Sequence, residues 1–159
     1  MERQEREIEG LQVKSQQLPA MRAYKLMTKL GKLIEPVARM MTPEIIAGAK
    51  AGKFDAMLPV AMAIFAELDE ARAESVALDI LACTSVIVPG AGKNGAPGNV
   101  GLQDTKAINL AFTGNLKAMM KTLLFALEVT YKDFFPESVP SPAAEGTETD
   151  SSDSEITPT

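Results

Sequence analysis

The sequence predicts a mainly α protein, a compact bundle of about five to six helices with a short N-terminal β-hairpin and a disordered acidic C-terminal tail. Three observations carry this reading. Apolar residues recur at three- and four-residue spacing over much of the chain, the period of a helix that buries one face. The apolar fraction is 46%, yet only eight residues are aromatic and none is Trp, so the core must be built largely from aliphatic residues and nine Met. Ala and Met favour helices, and Met packs adaptably. Charge is also divided unevenly: residues 136–159 hold six acids and no Lys or Arg, whereas the preceding part is nearly balanced. At 159 residues the chain suits one domain, over 1–135, followed by the tail over 136–159.

Residues 1–17 carry the hairpin expectation, because two short extended segments flank Glu9 and Gly10. Proline is at home in a first helical turn, so helix is predicted from Pro19. Ala23, Leu26, Met27, Leu30, Leu33, Ile34 and Val37 then form one buried stripe, with Arg22, Lys25, Lys29 and Lys32 on the opposite face. Pro36 is expected to end or kink this helix. Thr42, Pro43 and Glu44 read as cap, proline and acid opening a second helix bounded by Gly48 and Gly52. Residues 56–68 are apolar on every side until Glu67, which predicts a helix at the centre of the bundle with Pro59 in its first turn.

A further helix buries Ala73, Val76, Ala77, Ile80 and Leu81. Val86, Ile87 and Val88 suit a short strand, and residues 89–103 read as a flexible Gly-rich loop. Asp104 caps the next helix and Gly114 breaks it. The last helix, over about 115–131, buries Leu116, Met120, Leu123, Leu124, Leu127 and Tyr131. The tail is too polar to offset its ordering entropy by burial.

The residues argue against catalysis. Without histidine the chain lacks the commonest general base and metal ligand, and with one cysteine, Cys83, neither a zinc site nor an internal disulfide is expected. Gly90, Ala91, Gly92 and Lys93 suggest a phosphate loop, but Ile87 and Asn94 stand where that motif needs Gly and Ser or Thr. A mobile connector is the plainer reading, and no cofactor is expected. Cys83 reads as a small core residue. The charged N-terminus is unlike a signal peptide, and the longest apolar run, 56–66, is too short to span a bilayer. A soluble protein that stays in the cell and binds neither membrane nor nucleic acid is therefore expected.

What remains is contact with other chains. The cationic stripe Arg22, Lys25, Lys29 and Lys32 reads either as a solvated face or as a surface for an acidic partner or the chain's own tail. In Met40/Met41 and Met119/Met120 one residue of each pair points to the core, leaving the other for an adaptable contact. The candidate partner-binding residues are therefore Arg22, Lys25, Lys29, Lys32, Met40, Met41 and Met119, with Phe134 and Phe135 closing the domain.

Three stretches carry a resemblance. Ile8-Glu9-Gly10-Leu11 leads through Leu18-Pro19-Ala20 into the Lys-dotted helix ending Gly31-Lys32-Leu33-Ile34-Glu35-Pro36. Phe112-Thr113-Gly114-Asn115-Leu116 opens the last helix, and Leu127-Glu128-Val129-Thr130-Tyr131-Lys132-Asp133-Phe134-Phe135 closes it. Over roughly residues 8–135 this arrangement resembles the tail assembly chaperones of tailed bacteriophages. The resemblance implies a non-catalytic protein of the bacterial host cytoplasm, absent from the mature virion, which solubilises the tape-measure protein and helps recruit tail-tube subunits. It implies those two proteins as partners, with self-association a further option. The alternatives are a minor structural protein of a phage tail or head, and a small nucleotide-binding module using the 90–98 loop.

Overall fold

The computed structural model describes residues 3–51 and 53–132. The chain begins with strands β1 (Arg3–Ile8) and β2 (Leu11–Gln16), followed by helices α1 (Ala20–Gly31), α2 (Ile34–Met40) and α3 (Pro43–Lys50). A 3-10 turn, Phe54–Met57, leads into α4 (Leu58–Ala66), and α5 is Glu70–Leu81. Strands β3 (Thr84–Val88) and β4 (Gly98–Gly101) follow, then α6 (Thr105–Phe112) and α7 (Leu116–Tyr131). Helix dominates, as its periodicity indicates, with seven α-helices among the described residues.

The β component is larger than the expected hairpin. It is a four-stranded antiparallel sheet in the order β1-β2-β3-β4, with five helices inserted between β2 and β3. The β1–β2 turn has Glu9 at φ 50° and Gly10 at φ 79°, and Ile8 pairs with Leu11. Two successive positive φ values suit the twist of a two-residue hairpin. One face carries Arg6, Ile8, Val13, Ser15, Thr84, Val86 and Val88 toward the helices, since their cross-strand partners share that side. The other face presents Glu5, Glu7, Gln12 and Asn99, all exposed. The result is a two-layer molecule with its core between sheet and helices.

Helix α7 is the centre of that core. It meets β1, β2, α4, α5 and α6, and buries Ala118, Met120, Thr122, Leu123, Phe125, Ala126, Val129 and Thr130. Asn115 caps it by accepting from the Ala118 N–H at 3.1 Å. Leu116, expected to be buried, is 64% exposed because it starts the helix outside the layer interface. The expectation that residues 56–68 form the central helix is also corrected. Of α4 only Val60 and Ala61 are buried, and Met62 is 53% exposed. An apolar composition signalled burial, but the central place is taken by the longer helix α7, which packs on β1 and β2.

Other boundaries are set locally. The first helical stretch stops at Gly31, and Pro36 sits within the first turn of α2, where a missing N–H is tolerated, so it opens a helix rather than ending one. Helix α3 runs through Gly48 to Lys50. A Cβ at Gly48 would lie 2.6 Å from the Ala56 Cβ, so this glycine allows a close approach rather than a stop. Thr42, Asp69 and Asp104 cap α3, α5 and α6 by accepting backbone N–H groups of Ile45, Arg72 and Ala107. Residues 89–103, read as a loop throughout, include the turn Lys93–Gly95 and strand β4. Gly98 is needed there because a Cβ would meet Ala91 and Gly92 backbone at 2.6 Å. Gly52, Phe134, Phe135 and the acidic tail lie outside the described residues.

Candidate functional site

Among the described residues exposed apolar side chains gather on two helical faces, and Leu110 of α6 and Leu116 of α7 are exposed elsewhere. The first is the groove between α2 and α4, about 470 Å3, lined by Leu33, Met40, Ala63 and Ile64, with Glu35, Arg39 and Glu67 at its rim. Arg39 reaches back one turn to Glu35 at 2.5 Å, which leaves the apolar floor open between charged edges. Met62, the residue before Ala63, is exposed on the side of α4 turned away from Ile64, and Ile46 of α3 is 38% exposed. A helix as apolar as α4 is normally buried all round. Here it is covered on one side only, so it offers an adaptable apolar surface.

The second face is on α1. Leu26 is fully buried and Ala23 and Leu30 are half-buried, which fixes the inward side. At about 100° per residue, Met27, Tyr24 and Met21 follow on one flank, and Lys32, Lys25, Lys29 and Arg22 on the other. Met21 is 66% and Tyr24 60% exposed. The inward stripe read from the sequence therefore extends one residue too far at Met27, which is 45% exposed. Lys29 is tied to α5 through an ion pair with Asp79 and a hydrogen bond donated to the Ser75 hydroxyl at 3.3 Å. Arg22, Lys25 and Lys32 have no ion-pair partner among the described residues, and all three are exposed. The far end of α7 closes against this helix, where the Tyr131 hydroxyl donates to the Ala23 carbonyl at 2.7 Å. Burial raises the Tyr131 pKa above its ordinary value.

The remaining candidates are dispersed. Met40 lines the groove and Met41, the residue after α2, is half-buried. Met120 is buried, and Met119 is half-buried and packs against the core. The structure thus brings Met40 together with Leu33, which periodicity placed in the buried stripe of the first helix, and with Ala63 and Ile64 of the apolar 56–68 run. It brings the α1 cations together with Met21 and Tyr24, whose exposure an amphipathic pattern alone did not reveal.

A third cluster anchors the hairpin. Lys121 of α7 meets Glu9 at 2.5 Å and Asp55 at 2.7 Å, and Lys117 lies 3.4 Å from Glu9. Hydrogen bonding from Lys121 holds the Glu9 and Asp55 carboxyls below their ordinary pKa, and the bonds to Asp55 and Glu9 raise that of Lys121. The cluster balances its own charge and is a structural clasp. Arg6 makes a second tie, pairing with Glu128 at 2.9 Å with its guanidinium 4.5 Å from the centre of the Phe125 ring.

The 90–98 loop folds on itself. The Gly92 N–H donates to the Ala96 carbonyl at 2.8 Å, Ala96 to Lys93 at 3.2 Å and Ala91 to Val88 at 3.3 Å. A phosphate cradle needs N–H groups that converge on empty space, and these are committed within the turn. Among the described residues no group of three or more Cys, Asp or Glu is arranged to hold a metal, and no helix is long and apolar enough to cross a membrane.

Comparison with known proteins gives one match. The family model described as phage tail assembly chaperone protein, TAC, matches residues 9–143. No curated protein matches, and no solved structure does.

Proposed function

The chain belongs to the phage tail assembly chaperone family, and from that premise we propose that it holds apolar helices of the tape-measure protein in the groove between α2 and α4. The observation that carries the reading is α4 itself, nine residues of almost wholly apolar sequence of which only two are buried. A tape-measure helix laid along this groove would cover Met40, Ala63 and Ile64 with its own apolar stripe, in the helix-in-groove mode. Glu35, Arg39 and Glu67 at the rim would set its register. Recruitment of tail-tube subunits would follow on the complex, and the protein would leave before the virion is complete, acting in the host cytoplasm without catalysis.

The test is co-expression with the tape-measure protein of the same phage. The unaltered chain is expected to move the tape-measure protein into the soluble fraction and to co-purify with it. The variant Met40→Glu changes one exposed side chain of the groove, so it should keep its helical signal and lose the complex. A variant that binds as well as the parent would remove the groove from the account. A parent that leaves the tape-measure protein insoluble would overturn the function.

A further inference from the structure

We propose that the free edge of β1 is the interface between two copies of this chain. The two β1 strands pair antiparallel about a two-fold axis at Glu5, joining the sheets into one. β1 is the outer strand in the order β1-β2-β3-β4, and among the described residues no strand pairs with its far side. Pairs in an antiparallel ladder alternate between hydrogen-bonded and non-bonded, and the pair flanking a two-residue turn is bonded. Ile8, which precedes the turn Glu9-Gly10, therefore bonds to β2, as do Arg6 and Gln4. Arg3, Glu5 and Glu7 aim their backbone N–H and C=O groups at the free edge instead, with their side chains exposed on the outer face of the sheet.

Charge selects the occupant. Charged residues on an edge strand ordinarily keep other strands away. On β1 they are set antisymmetrically, with Arg3 before Glu5 and Glu7 the same distance after it. With Glu5 opposite Glu5 of a second copy, Arg3 of each chain lies opposite Glu7 of the other, and opposite charges facing across strands attract. Each Glu5 carboxylate that meets its counterpart at the axis already has the Lys14 ammonium of β2 beside it, at 3.0 Å. Arg3 has no ion-pair partner among the described residues, and Glu7 accepts a hydrogen bond from the exposed Gln12 amide at 3.3 Å. A parallel copy in register would set like charges together. The other edge, β4, is the short segment Gly98–Gly101 and carries no charge to match. Because the same patch serves both copies, the contact closes as a dimer. It does not depend on tape-measure binding.

The experiment is sedimentation equilibrium of the full chain over a concentration series, where the parent is expected to show a monomer–dimer equilibrium. Arg3→Glu and Glu7→Arg each set like charges opposite one another at both ends of the pairing, and each should weaken dimerisation about tenfold. Both side chains are exposed, so the helical signal should not change. An equimolar mixture of the two single variants restores opposite charges at both ends and should dimerise like the parent, as should Arg3→Glu/Glu7→Arg. A parent that stays monomeric throughout the series would overturn the proposal. So would a dimer indifferent to the reversals, single variants that do not rescue one another, or growth beyond a dimer. Amide hydrogen exchange gives a second readout: the Glu5 and Glu7 amides should gain protection only at concentrations where the dimer forms. Equal exchange of these amides in monomer and dimer would take the interface off β1.

Discussion

Ser15 and Thr84 face each other across β2 and β3, their hydroxyls 3.0 Å apart and both buried. They join two strands separated by five helices in sequence, and each is the other's side-chain partner. Ser15→Ala alone leaves a buried hydroxyl with a lost partner and should cost about 1–3 kcal/mol, whereas Ser15→Ala with Thr84→Val should cost much less. Chemical denaturation of the two singles and the double decides this. Equal losses in the single and double variants would mean that the pair does not act as a unit. Leu26 is the corresponding apolar test. It is 1% exposed at the contact of α1 with the core, and Leu26→Ala should cost about 2–5 kcal/mol by thermal or denaturant unfolding. At this scale the sequence was legible where a residue's role is local. Asp69, Asp104 and Asn115 read as or prove to be caps, and Gly10 and Gly114 sit at φ 79° and 76° as turn and break. It was illegible where burial depends on distant partners, as at Ser15, a polar residue in the core face of β2.

The elements show why some faces were misread. In α4 an all-apolar sequence suggested a buried centre, but hydropathy reports what a helix can bury and not whether a neighbour arrives to cover it. In β4 the residues Gly98, Asn99, Val100 and Gly101 have the composition of a loop, and only their pairing with β3 makes a strand. In α1 the inward stripe was found, while the exposed Met21 and Tyr24 needed the position of α7 to be recognised. The hairpin clasp gives a pH prediction. Glu9 and Asp55 have depressed pKa values in the folded protein, so their contribution is present above the ordinary carboxylate range, about 4, and is lost as pH falls through the folded values. Lys121 has a raised pKa, so its contribution is complete below about 10.4 and is lost as pH rises through the folded value. Lys121→Met should therefore melt below the parent at neutral pH, with the gap closing toward pH 3. A gap that persists there would place the effect in packing of the Lys121 stem instead.

For the whole molecule, the helical class and the family were readable from the chain, and the sheet was readable at its first turn and in the strand at Val86, Ile87 and Val88, but not in the pairing that joins them. The reason is physical: a local hairpin is specified by two turn residues, whereas β2–β3 pairing is a tertiary event. The resulting two-layer core around α7 leaves α4 at the rim with its outer side uncovered. That arrangement gives a buried centre and an apolar edge, the edge on which the proposed binding rests. The most direct test of the central claim is the yield of soluble tape-measure protein when it is co-expressed with the parent chain or with Met40→Glu. The account predicts a soluble complex with the parent and insoluble tape-measure protein with a folded variant. Equal solubility with both, or with neither, would contradict it.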